Sequence, residues 1–534
     1  MKTQNCKLIR IFLVVWNWVK EKVMAIWSWK KKIAFAFWNW IVKKLKWFWD
    51  WLKKNRNYFA KLIVTVVGGL IVYSIPREVV RLRVNARPYI TFESDNTQVF
   101  HLSKEIATLE YFLVGEKRWK ELGTQNVVFG GDRGKLLLRG NAINGTEGAT
   151  ISFASNAEVV CTGDIRTLID YNDNEKVNTE KAKFQFLFAD CKQLVAAPEL
   201  PAETLAEGCY ESMFSNCTSL ENAPELPAEI LTESCYSNMF TGCTSLKIAP
   251  KLPADTLAGW CYESMFSNCT SLEKAPELPA GNLNEGCYSN MFTGCTSLKT
   301  APELPADTLA EWCYESMFSS CTSLINAPEL PAEYLSLGCY SGMFSDCTSL
   351  DIAPELLSIN LAERCYESMF SGCVSLLEAP ELPANNLAEY CYYNMLYGCA
   401  SIKRAPVLKA VKMAKACYYG MFSDCTSLIE APELPAKSLA DYCYENMLSN
   451  CSSLISAPIL SAEKMAYSCY SGMFSGCTSL KRVTMLAIKI DAEDCFENWL
   501  DGASSLGTFY KNKKAKWNNS GIVPQGWTVK LVNP

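Results

Sequence analysis

Tyr210, Met213, Phe214 and Cys217 are apolar at positions i, i+3, i+4 and i+7, with polar residues between them. That spacing puts them on one face of a helix, and Leu205 and Cys209 extend the face backwards. Glu203, and its equivalent Asp255, fall in the first turn after a proline, where a carboxylate suits the helix dipole. The position before the second cysteine is Asn216, Gly242, Asn268, Gly294, Ser320 or Asp346 in successive copies. Such residues tolerate the left-handed backbone that ends a helix. The pattern therefore predicts a short helix that stops at Cys217. In the following T-S-L-x-x-A-P-x-L-P, Leu220 and Ala223 mark a short extended segment facing a core. Pro224 and Pro227 forbid helix there and keep the strand short.

This unit recurs every 26 residues, from Cys209 to Cys495, without an insertion. A fixed period of this length is the signature of a stacked array. Degenerate copies ending at Cys191 and starting at Cys495 suit terminal rungs with one face in water. The expected fold is an α/β solenoid over residues 183–506, one short strand and one short helix per leucine-rich-repeat unit. Twelve to thirteen rungs give a curved slab on the order of 60 Å long. Residues 88–182 hold short strand-like runs such as PYITFES, KLLLRG and ATISFAS between turn residues, and predict a small β-sandwich. Residues 507–534 read as a C-terminal cap, with Trp517, Trp527 and Val529 covering the last rung.

The string M-F-x-x-C-T-S-L-x-x-A-P-x-L-P-A resembles the BspA-like leucine-rich repeats of bacterial surface proteins. Flanking segments share the likeness: LEYFLVGEKRWKEL, KLLLRGN and CTGDIRTLID before the array, and SGIVPQGWTV after it. It extends over roughly residues 88–534. The resemblance implies a repeat-built surface protein with an adhesive or binding role.

Twenty-four of the 26 cysteines occupy the two repeat positions, and only Cys6 and Cys161 fall outside. On a helix, Cys209 and Cys217 would lie roughly 12 Å apart, beyond the about 7 Å that a disulfide spans. Equivalent cysteines in adjacent units could approach. The expected arrangement is two ladders of buried thiols, represented by Cys209, Cys235 and Cys261 and by Cys217, Cys243 and Cys269, acting as small hydrophobes. Zinc-type C-x-x-C spacing is absent.

The first 61 residues follow a different period. Trp16, Trp27, Trp38 and Trp49 are eleven apart, as are Trp18, Trp29, Trp40 and Trp51. Eleven residues make about three helical turns, so equivalent positions share a face. The opposite face carries Lys31, Lys32, Lys43, Lys53 and Lys54. Aromatic rings opposite lysines describe an amphipathic helix lying on lipid that is anionic. Residues 62–87 are then read as a transmembrane helix, built on LIVTVVGGLIVYSI, and a juxtamembrane linker, with a buried or re-entrant helix as the alternative to the span. The heavier Lys/Arg flank on the N-terminal side places that side in the cytoplasm and the repeats outside.

Charge sharpens the division. Residues 1–87 carry 19 Lys/Arg against three acids, and the rest carries 32 against 53. An acidic array argues against nucleic acid, which needs a basic footprint. Within the array, two strand positions vary most, and in a stack they line one surface. Their polar members are Glu221, Asn222, Lys247, Glu273, Lys274, Lys299, Asn326, Asp351, Glu378, Lys403, Arg404 and Glu430. These are the candidate contacts for a protein or glycan. A row of glutamates (Glu225, Glu277, Glu303, Glu329, Glu355, Glu381, Glu433) also recurs in register and is expected to be solvated. The single histidine, His101, has no catalytic motif around it, and neither a phosphate loop nor H-E-x-x-H occurs. The expected function is a membrane-anchored, non-enzymatic binding or adhesion protein without a cofactor. The alternative is a structural or membrane-active protein whose basic Trp-rich helix acts on lipid, with the array as a spacer.

Overall fold

A computed structural model describes residues 88–533, Glu147 excepted. From Pro88 onward the chain forms one compact unit. The Trp/Lys helix and the spanning segment expected over residues 1–87 lie outside the described residues. Among the described residues, no helix is long and apolar enough to cross a membrane.

Residues 88–196 carry two β-sheets. Strands β1 (Ile90–Glu93), β3 (Glu110–Leu113), β4 (Lys120–Glu121), β6 (Leu136–Arg139), β8 (Val159–Thr162) and β9 (Leu194–Ala196) pair in the order β4-β3-β6-β1-β8-β9. Strands β2 (Gln98–Leu102), β5 (Val127–Phe129) and β7 (Ile151–Phe153) pair as β5-β2-β7. Alternating burial along β1 and β2 turns Phe92 and Phe100 towards each other, with ring centroids 5.5 Å apart. Phe153 and Phe188 complete this cluster at 5.7 and 6.2 Å from Phe92. Phe188 belongs to the degenerate first rung, and β9 pairs parallel with β8. The β-sheet region and the array thus share one core.

The expected short helix in each repeat is not there. Among the described residues there is no α-helix, only three short 3-10 turns in the β-sheet region. Residues 206–217 instead fold as overlapping β-turns. The N–H groups of Cys209, Glu211, Met213, Ser215 and Cys217 each bond the carbonyl three residues back, at 3.0–3.2 Å. The alternate N–H groups, of Tyr210, Ser212, Phe214 and Asn216, bond Cys235, Ser237, Met239 and Thr241 of the next rung, at 2.7–2.9 Å. An α-helix spends every interior N–H on itself, so it could not be stitched to its neighbour in this way. Gly208, Ser212 and Asn216 hold positive φ (60°, 53° and 58°), and this left-handed residue every fourth position keeps the turns in step.

Four-residue steps also explain the apolar pattern. Cys209/Tyr210, Met213/Phe214 and Cys217 are buried, and the residues between them face out or are half-buried. Their tyrosines stack from Tyr210 to Tyr470, with Tyr210 and Tyr236 5.8 Å apart and only 16° from parallel. Phe214 and Phe240 stack likewise at 5.6 Å.

The expected strand shrinks to single bridging residues, as in Asn222↔Ile248↔Lys274 and Thr300↔Asn326↔Ile352. Proline is the cause: Pro224 follows two residues after Asn222 and cannot donate to a longer ladder. The strand at Ser456–Leu460 crosses Pro458 only with a shift of register, and where the prolines are missing, at Arg482–Met485, an unbroken strand forms. This strand, β11, lies between β10 (Ser456–Leu460) and β12 (Thr508–Asn512), and β13 (Thr528–Val532) closes a parallel sheet. Trp499 and Trp527 donate their indole N–H to the carbonyls of Ile522 and Ser504, both at 2.7 Å, and fasten the end. Trp517 and Val529 pack half-buried against the same core.

Candidate binding surface

Each rung leaves the turn core at Leu220, whose side chain is buried, and turns outward over the next two residues. Backbone contacts hold those residues in register with the rung before. Lys247 donates its N–H to the Glu221 carbonyl at 3.1 Å, Ile429 to Lys403 at 3.0 Å and Lys481 to Ile455 at 2.9 Å. The result is a strip of outward side chains, two per rung, fixed on a ladder.

The strip brings the candidate residues into one row. Glu221, Asn222, Lys247, Glu273, Lys274, Lys299, Asn326, Glu378, Lys403, Arg404 and Glu430 are exposed, and Asp351 is half-buried. Opposite charges meet across rungs: Lys247 Nζ lies 3.5 Å from Glu221 Oε1, and Arg404 Nε 3.3 Å from Glu430 Oε2. Both pairs stand in solvent and contribute little stability. The glutamates at 225, 277, 303, 329, 355, 381 and 433 are exposed alongside.

The polar candidates omit the apolar centre of the strip. Ile325, Ile352 and Leu377 occupy successive rungs with 47, 67 and 61 % of their surface open to solvent. Their signal lay in the same two variable positions. Charged residues lie on both sides, from Glu221 to Lys299 and from Lys403 to Glu430, with exposed Ile248 and Ile429 among them and Ile455 on the next rung. Exposed apolar side chains interspersed with charged ones are a feature of protein-binding surfaces.

The two cysteine positions lie inside. Every described cysteine is buried with a free thiol. Cys217 Sγ donates to the Phe188 carbonyl at 3.0 Å, Cys243 to Phe214 and Cys269 to Phe240 at 3.1 Å. The Phe214 carbonyl already accepts the Cys217 N–H at 3.1 Å, so the thiol takes its second lone pair. Burial pushes the thiols of Cys209, Cys235 and Cys243 up to about 12, and those of Cys217, Cys261 and Cys269 well above the ordinary thiol range. Thiols held protonated are poor nucleophiles and poor metal ligands. Among the described residues no cluster of His, Cys, Asp and Glu could hold a metal ion.

His101 lies on β2 opposite Ser152, its buried Nδ1 making no hydrogen bond among the described residues. The membrane-interface candidates (Trp16, Trp18, Trp27, Trp29, Trp38, Trp40, Trp49, Trp51, Lys31, Lys32, Lys43, Lys53 and Lys54) lie outside the described residues.

The regular rungs, the buried Cys and Tyr positions and the leucine after each turn correspond to a known repeat family. The BspA type leucine rich repeat region (6 copies) matches residues 185–276, 261–403 and 397–501, more than half of the chain. No curated protein and no solved structure matches it. Repeats of this kind are typically non-catalytic and serve binding. With the matched region running through eleven regular rungs and both terminal ones, the chain belongs to the BspA-type leucine-rich-repeat family.

Proposed function

We propose that this protein is a membrane-anchored, non-enzymatic binding protein whose strip engages another protein. The observation that carries the reading is the apolar centre Ile325–Ile352–Leu377, set among charged residues on a rigid ladder. Exposed hydrophobic side chains on neighbouring rungs mark an interaction site more strongly than isolated ones. Lys403, Arg404 and Glu430 on one flank, and Glu221, Lys247, Glu273, Lys274 and Lys299 on the other, would set orientation and exclude wrong partners. A cofactor has no part in this function.

The anchor rests on sequence. The eleven-residue Trp/Lys period of residues 16–54 suits an anionic lipid surface, and residues 62–75 suit a span. The excess of Lys/Arg before the span would leave the N-terminus in the cytoplasm and the repeats outside.

The test compares the full chain with its Ile352→Asp/Leu377→Asp variant, both displayed on the producing cells. Binding of surface-labelled neighbouring cells should fall about tenfold in the variant. Equal binding by both would refute the strip as the binding surface. Protease added to intact cells should remove residues 88–534, and protection of that region would refute the orientation. Leakage of anionic vesicles by the full chain and its variant alike, with no cell binding by either, would favour the membrane-active alternative.

A further inference from the structure

Trp260 and Trp312 sit at the same point of the repeat, two rungs apart, and Gly286 and Gly338 occupy that point on the rung after each. Both glycines have left-handed backbone, φ 55° and 59°. A methyl group on Gly286 would collide with Cε3 and Cζ3 of Trp260, and one on Gly338 with the same atoms of Trp312. Each indole therefore lies flat across the glycine of the next rung. One ring face is covered by the glycine backbone, and both tryptophans keep part of their surface in solvent. Their backbone is tied down as well: the N–H of Trp260 bonds the Glu285 carbonyl, and that of Trp312 the Leu337 carbonyl, both at 2.9 Å.

The tryptophans themselves adopt φ 55°, a region where a bulky side chain is strained and glycine is free. Gly208, Gly286 and Gly338 show that the fold accepts glycine at this point. The indoles are thus held where the scaffold does not need them. Equivalent core tyrosines around them, Tyr262, Tyr288 and Tyr314, follow at 5.8 Å steps, so equivalent points two rungs apart are separated by roughly 10–12 Å. The same point two rungs further is Arg364, its guanidinium stacked 4.4 Å over Tyr390.

Flat ring faces held rigidly at the spacing of alternate sugars fit an extended glycan, whose pyranose C–H faces stack on aromatic rings. The neighbourhood selects the charge. Glu285 and Glu311 are exposed beside the indoles, where carboxylates accept hydrogen bonds from sugar hydroxyls and repel an anionic polymer. We infer that Trp260 and Trp312 form a second binding site, for a neutral, extended β-1,4-linked glycan, built from a different stretch of the rung than the strip.

Calorimetric titration of the full chain with cellohexaose and chitohexaose tests this, with maltohexaose and a decaproline peptide as controls. At least one β-linked hexasaccharide should bind at least about tenfold more tightly than either control. Trp260→Ala/Trp312→Ala should weaken that binding by about tenfold or more, and Ile352→Asp/Leu377→Asp should leave it unchanged. Oxidation by N-bromosuccinimide, read by peptide mass spectrometry, needs no variant: the bound glycan should protect Trp260 and Trp312 but not Trp517. No binding of either β-linked hexasaccharide, tighter binding of decaproline, or unprotected Trp260 and Trp312 would overturn the assignment.

Discussion

Cys243 Sγ lies 3.1 Å from the carbonyl oxygen of Phe214, one rung back. The same bond recurs from Cys217 to Cys477 and explains why a small sulfur-bearing residue fills the position. Cys243→Ala removes both a sulfur atom's packing and the second hydrogen bond to Phe214. The expected loss is about 1–2 kcal/mol, and Cys243→Ser, which keeps a donor, should recover part of it. Amide hydrogen exchange through residues 235–260 reads the effect locally, since distant rungs of an array need not respond.

Alkaline pH should unfold the array. Burial holds Cys209, Cys243 and Cys295 up at about 12, whereas an unfolded thiol ionises near about 8.5. A folded-state value above the unfolded one contributes stability that is intact below about pH 8.5 and lost as pH rises towards 12. Each such thiol should withdraw about 2 kcal/mol by pH 10. Two dozen cysteines occupy ladder positions, so circular dichroism should show cooperative unfolding well before pH 12. A signal flat through pH 11 would mean that these thiols are not buried.

Gly242→Ala should be among the most damaging small substitutions. Gly242 has φ 73°, and an added methyl would collide with Oδ1 of Asn216 on the preceding rung. A cost of about 2–3 kcal/mol follows from the left-handed backbone and the clash together. Asn216→Gly in the same chain removes the clash but not the backbone cost. The double variant should therefore recover part of the lost urea-denaturation midpoint, and no recovery would show that the two rungs do not touch there.

The strip should separate function from stability. Arg404 and Glu430 pair at 3.3 Å with both side chains largely exposed. Glu430→Gln should change the unfolding free energy by less than about 0.5 kcal/mol. A larger change would mark the pair as part of the scaffold.

The repeat length, the buried positions and the strip were legible because each follows from the 26-residue register alone. The helix was misread because Tyr210, Met213, Phe214 and Cys217 fit helical spacing and four-residue turns equally well over so short a stretch. One signal could have decided it. Ser212, Asn238, Ser264, Asn290, Ser316 and Gly342 are all small residues that suit left-handed backbone, four positions before the similar residue at the expected helix end. A helix interior has no use for that restriction. The Trp260/Gly286 and Trp312/Gly338 pairing was hidden for another reason: it follows a two-rung alternation, and only stacking shows that each indole needs its glycine.

The central claim is that the array is a stack of turn-built rungs sealed by buried, reduced thiols. Titration of the full chain with a thiol reagent, without reductant, tests it most directly. At pH 8 the folded protein should react at almost none of its ladder cysteines, and after denaturation all 26 cysteines of the chain should react. A count near zero after denaturation, or rapid reaction of the folded protein, would contradict the account.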